Sequence, residues 1–130
     1  TLGHDFAPAH IHAGGLRYHG AGTIVSQLIK DGYMEGVDIP QLESFQAATL
    51  FAQSEGIIPA PESAHAIAAT IREALKAKEE GVQKNILFCL SGHGLIDMTA
   101  YDQFNAGDLT NYDLPQEVID QNVAKLEKLV

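Results

Sequence analysis

The run Asn85-Ile86-Leu87-Phe88-Cys89-Leu90 has the length of a strand, no polar alternation, and an abrupt end at Ser91-Gly92-His93-Gly94. Unbroken apolar residues at strand length mark a strand buried on both faces, as in the parallel sheets of α/β proteins. A strand of that kind needs neighbours, because every backbone N–H and C=O removed from water must find a partner. The remainder of the 130 residues reads as helices and loops, so a sheet here would have to be completed by strands from elsewhere. In such sheets the ligand sits beyond the carboxyl ends of the strands, where Ser91 would emerge. Gly92 and Gly94 would then let the backbone approach a flat or phosphorylated ligand closely. The ordinary alternative is a strand followed by a glycine turn.

The helices are read from spacing. Ile24, Val25, Leu28 and Ile29 recur with helical period, and Gly32 stops them. Pro40 opens a second helix at the position where its missing N–H costs nothing; Leu42, Phe45, Thr49 and Ala52 mark its face, and Gly56 ends it. Gly56 to Pro61 cannot be helical across two prolines. The third helix carries a stripe of Ala64, Ile67, Ala68, Ile71 and Leu75, with Gly81 as its close. A short helix is expected around Thr99–Phe104, a polar linker over Gly107–Asp113, and a last helix from Pro115 with Val118, Ile119, Val123 and Leu126. The first twenty residues, rich in glycine and histidine, form a loop long enough to expect a function or a partner surface for it.

Composition narrows the function classes. A formal net charge of −9 leaves no basic cluster to neutralise phosphates, which argues against nucleic acid. The single cysteine, Cys89, offers no disulfide framework and is expected as an inert buried thiol in a reducing cytoplasmic compartment. No apolar stretch approaches membrane-spanning length. The chain opens Thr1-Leu2-Gly3 without an initiator methionine, so processing, or a piece of something longer, is expected.

Three groups could carry chemistry. Glu62, between Pro61 and the third helix, is either a first-turn acid favoured by the helix dipole or a proton-transfer group at a rigid corner. His4, His10, His12 and His19, with Asp5, could assemble a transition-metal site, although the Cys/His ligand pairs and the His-Glu-x-x-His pattern are absent. Ser91 is no elbow nucleophile, since Cys89 stands where Gly-x-Ser-x-Gly needs glycine. Ser91 is better cast as a hydrogen-bonding hydroxyl. Facing a pyridine nitrogen, it would leave that nitrogen unprotonated and weaken the ring as an electron sink.

The segments Gly3-His4-Asp5-Phe6, His12-Ala13-Gly14-Gly15-Leu16-Arg17-Tyr18-His19-Gly20, Glu55 through Ala66 and Leu90 through Asp97 closely resemble tryptophan synthase β chains. The resemblance is best to the divergent second subgroup, which has the His-Ala-Gly-Gly-Leu-Arg-Tyr-His segment. Four motifs in order cover nearly the whole chain but only the C-terminal third or so of the family's length. The implied fold is α/β, the C-terminal portion of a fold-type II pyridoxal-phosphate enzyme, mostly helices around few buried strands. Residues 1–130 would lack the family's Schiff-base lysine, its phosphate-binding loop and the acid that assists β-elimination.

The resemblance implies pyridoxal 5'-phosphate as cofactor and L-serine and indole as substrates, giving L-tryptophan and water. By the same resemblance, Glu62 is the active-site glutamate beside the cofactor ring, Ser91 the serine on the pyridine nitrogen, and Gly92 its neighbour. Asp5 matches an aspartate of the substrate-pocket switch, Phe6 a carbonyl position for a monovalent cation, and Asp97 an aspartate in the loop after the strand. A homodimer and an α subunit are the implied partners. The main subgroup differs, with arginine at His93, leucine at Pro61 and asparagine at Cys89. Two alternatives stand beside this reading: a sibling serine or threonine deaminase with the same cofactor, and a histidine-rich metal module.

Overall fold

The computed structural model describes residues 1–128. The chain divides into two compact units. One comprises His12–Gly14 and Ile39–Asn111; the other comprises Thr1–Ile11, Gly15–Asp38 and the stretch from Tyr112 onward.

The Ile39–Asn111 unit is built from three helices: α2 (Gln41–Glu55), α3 (Pro61–Glu80) and α4 (Met98–Ala106). Each ends on a glycine in the left-handed region, Gly56, Gly81 and Gly107, at φ of 71°, 67° and 79°. That conformation turns the chain back so that the next N–H groups reach the last free carbonyls, as Val82 N–H does with the Ala77 carbonyl at 3.0 Å. The expected stops at Gly56 and Gly81 are therefore found. Pro61 takes the first helical position of α3, while Pro40 stands one residue outside α2 as its cap residue.

Small residues let α2 and α3 pack closely. Phe45, Ala48, Ala64, Ala100 and Tyr101 form one buried cluster, with Ile58, Phe104 and Leu109 against it. Ala47, Ile67 and Ala68 form a second, flanked by Ile39, Phe51, Ile71 and Phe88. Phe45, 2% exposed, is the centre: its ring meets Tyr101 edge-on at 5.2 Å and stacks on Phe104 at 5.5 Å. Burying one such side chain contributes about 1.5–3 kcal/mol, and the ring geometry adds to it. On the rim, Arg72 of α3 forks onto the Glu43 carboxylate of α2.

The second unit carries α1 (Thr23–Lys30) and α5 (Gln116–Glu127), and neither helix buries a residue. The spacing of Ile24, Val25, Leu28 and Ile29 does produce a helix, yet Ile24, Val25 and Ile29 remain exposed. Local pairing holds the loop ends: Leu2 N–H bonds the His19 carbonyl at 2.8 Å, and Gly3, at φ 88°, faces Leu126. A three-residue 3₁₀ turn, Gly14–Leu16, interrupts the histidine-rich loop.

The expected buried strand is corrected. Among the described residues there is no β-strand, and the single bridge pairs Pro59 with His93. Residues 85–90 are irregular and largely exposed, with Leu87 97% open and Cys89 exposed rather than buried. The physical reason is the missing ladder: a strand forms only where a neighbouring backbone accepts and donates, and among the described residues none pairs with this run. Phe88 alone turns inward, edge-on to Phe51 at 5.9 Å.

Candidate functional site

The site is a seam between two short antiparallel passages in the Ile39–Asn111 unit. One passage, Ile58-Pro59-Ala60, leads into α3; the other, Gly92-His93-Gly94, follows the apolar run. Ala60 N–H donates to the Gly92 carbonyl at 3.0 Å, and Gly94 N–H donates to the Ile58 carbonyl at 2.8 Å. Pro59 has no N–H to give, so its carbonyl is the group that needs a partner. The Tyr101 hydroxyl supplies one at 2.6 Å from within the core. Burial, and secondarily the negative charge of Asp97, push the Tyr101 phenol up to about 12.

The two glycines are required by this seam itself. A Cβ on Gly94 would run into the Pro59 carbonyl oxygen and lie 2.9 Å from both Ile58 and Tyr101. A Cβ on Gly92 would sit 3.1 Å from the Ala60 Cβ. The close approach expected toward a ligand is, at Gly94, an approach to the protein's own backbone.

The seam brings Ser91 to the first turn of α3. Ser91 is exposed, and its Oγ lies 3.1 Å from the Oγ of Ser63, itself only 2% exposed. Glu62, half-buried, is the acidic residue of that first turn, where unpaired N–H groups and the helix dipole favour a carboxylate. Behind it, the His65 ring nitrogen Nδ1 lies 2.8 Å from the Pro61 carbonyl and 3.2 Å from the Ser44 hydroxyl. Glu62, Ser91 and Gly92, singled out from sequence, are thus gathered at one seam. Ser63 is not among the residues singled out from sequence; its place beside Glu62 was the available signal.

Asp5 and Phe6 belong to the other unit. Asp5 is exposed and pairs with the His4 ring at 2.9 Å, and Phe6 donates its N–H to the Gly3 carbonyl at 3.2 Å. The histidine-rich loop is organised by Arg17, whose Nε donates to the Ala9 carbonyl at 2.8 Å and whose Nη2 lies 3.2 Å from His10. Among the described residues, no group of three His, Cys, Asp or Glu side chains is placed to hold a metal ion. The loop histidines have other company: His19 meets Thr1, and the His12 N–H bonds the Gln41 side chain at 2.9 Å. No helix among the described residues is long and apolar enough to cross a membrane.

What this geometry defines is a helix start locked to a glycine loop, with a carboxylate-bearing first turn and paired hydroxyls at its mouth. No family model matches the sequence. Curated proteins do match it. Tryptophan synthase beta chain 2 of Aquifex aeolicus is 60% identical over 111 residues, 85% of this chain and 26% of that protein. Its counterpart in Thermotoga maritima is 63% identical over 101 residues, 78% of this chain and 24% of its own. The tryptophan synthase beta chain of Thermococcus onnurineus is 55% identical over 118 residues, 91% of this chain and 26% of its own. Over most of its length the chain is therefore similar to a segment of tryptophan synthase β chains of the second type, as its motifs imply. It spans about a quarter of the length of the curated relatives it matches.

Proposed function

We propose that residues 1–130 form the C-terminal segment of a pyridoxal-phosphate enzyme that replaces the hydroxyl of L-serine with indole, giving L-tryptophan and water. The observation that carries this reading is Ser91: an exposed neutral hydroxyl, set on a rigid seam beside the Glu62 turn, in a segment 60% identical to a tryptophan synthase β chain. A neutral hydroxyl suits an unprotonated aromatic nitrogen, which accepts one hydrogen bond and tolerates no full charge opposite it. The donor set present fits the ring edge of the cofactor. Its phosphate and aldehyde would be held by chain outside this segment, because no lysine here sits in a Schiff-base motif.

Pyridoxal phosphate, when bound, supplies an electron sink for the substrate's Cα. Ser91 holds the pyridine nitrogen by one hydrogen bond and keeps it neutral, which favours elimination and replacement at Cβ over other fates. Glu62 transfers a proton at the pocket wall, held in place by the first turn of α3. Asp5 serves the pocket's closing switch, and the Phe6 carbonyl is offered to a monovalent cation. The exposed run over residues 85–90 becomes a sheet strand of the fold-type II architecture once flanked by the rest of the chain. A cytoplasmic homodimer, with an α subunit as a further partner, belongs to the same reading.

The test is made on the full-length protein. With serine and indole it should form tryptophan; pyruvate as the main product despite indole overturns the reading in favour of a deaminase. Ser91→Asp should shift the cofactor's absorbance and the product balance, because a carboxylate protonates the ring nitrogen. An unchanged spectrum and product ratio would remove Ser91 from the pyridine. The segment alone, given pyridoxal phosphate, serine and indole, should form no tryptophan.

A further inference from the structure

Ser63 is the buried polar residue of this seam that the reading above does not use. Its side chain sits on the third residue of α3, 2% exposed, and its hydroxyl makes one hydrogen bond among the described residues, with Ser91 Oγ at 3.1 Å. The burial of the two partners decides which of them donates. A hydroxyl has one proton. If Ser91 donated, the Ser63 proton would be left in the interior without an acceptor, and such groups are rarely tolerated. If Ser63 donates, both protons are placed, because Ser91 is exposed and can direct its own proton outward. Gly92 contributes by having no side chain: a Cβ there would lie 3.9 Å from Ser63 Oγ and press on Ala60.

We propose that Ser63 is a positioning residue that donates to Ser91 Oγ, fixing the Ser91 hydroxyl as a donor toward the cofactor's ring nitrogen. The proposal rests on the assignment of Ser91 to that nitrogen. Ser63 touches neither substrate nor cofactor. It sets the polarity of the bond that does. With the donor chain running from Ser63 through Ser91, the ring nitrogen can only accept, so it is held neutral by hydrogen-bond direction as well as by the absence of charge.

The test uses the full-length protein loaded with pyridoxal phosphate enriched in ¹⁵N at the ring nitrogen. The variants are Ser63→Ala, Ser63→Cys, Ser91→Ala and the double Ser63→Ala/Ser91→Ala. Ser63→Ala should move the ¹⁵N resonance in the direction that Ser91→Ala moves it, and by less. It should weaken cofactor binding roughly fivefold, the loss of one ordinary hydrogen bond. The double variant should match Ser91→Ala alone, since the first hydroxyl acts only through the second. Ser63→Cys keeps a weak donor in nearly the same volume, so its resonance should fall between wild type and Ser63→Ala. An unmoved resonance in Ser63→Ala, strictly additive effects, or Ser63→Cys matching Ser63→Ala would each overturn the proposal. A wild-type protein that takes up no cofactor defeats the functional reading itself, whereas a loaded wild type with a silent Ser63→Ala defeats only the role of Ser63.

Discussion

Phe45 and Ile24 are both large apolar residues on regular helices with helical spacing, yet one is 2% exposed and the other 76%. The contrast extends to their units. Helices α2 and α3 share two apolar clusters, one of them joined by α4, whereas α1 and α5 bury nothing among the described residues. Periodicity reports that a helix face needs cover; it does not report what covers it. In one unit the cover is inside the segment. In the other, none is found among the described residues.

The largest test of this difference is Phe45→Ala. Removing a fully buried aromatic that three rings contact should cost about 3–5 kcal/mol of the segment's unfolding free energy. Urea unfolding followed by circular dichroism measures it. A loss below about 1 kcal/mol would mean that Phe45 is not the centre of an independent core.

Gly94→Ala comes next. The new methyl meets the Pro59 carbonyl oxygen, a backbone atom tied to Tyr101, so the seam must open rather than a side chain rotate away. Overpacking of this kind costs about 1–3 kcal/mol. The same denaturation experiment reads it, and an unchanged midpoint would show that the seam is loose.

Tyr101→Phe should cost about 1–2 kcal/mol, because it strips the buried Pro59 carbonyl of its side-chain donor while leaving the ring in place. The pH dependence has a definite sign. The folded state holds the phenol proton more tightly than the unfolded state, as its value stands at about 12 against 10.0. Its contribution is therefore complete below pH 10 and is lost as pH rises through 12. Thermal melts of wild type and Tyr101→Phe should converge over that window. Parallel curves would exclude Tyr101 as the titrating group.

The helices and their glycine stops were legible because they are local: a left-handed residue, a proline at the first turn and a 3.6-residue stripe all lie within a few positions of one another. The grouping of Glu62 with Ser91 became legible only through the motifs, since nothing in spacing brings residues so far apart in sequence together. Two features were misread from the residues alone. The apolar run at 85–90 was read as a buried strand because its composition is that of one, while the backbone pairing that makes a strand is absent among the described residues. Gly94 was read as room for a ligand, when the space it leaves is taken by Pro59. Ser63 escaped notice because serine near a helix start has an ordinary explanation, and only its depth and its partner distinguish it.

The smallest expected effect is the sharpest on the comparison. Ile24→Ala in the segment should change stability by less than about 0.5 kcal/mol, since the side chain is open to solvent and alanine is the better helix former. In the full-length protein the same change should cost about 2–5 kcal/mol if the α1 face is packed there, the range for emptying a buried aliphatic site. The pair of measurements separates two explanations of an exposed apolar helix. Equal and negligible losses in both contexts would make α1 a solvent-facing helix with a coincidental stripe. A loss confined to the longer chain would identify the α1 face as one half of an interface completed only in the full-length protein.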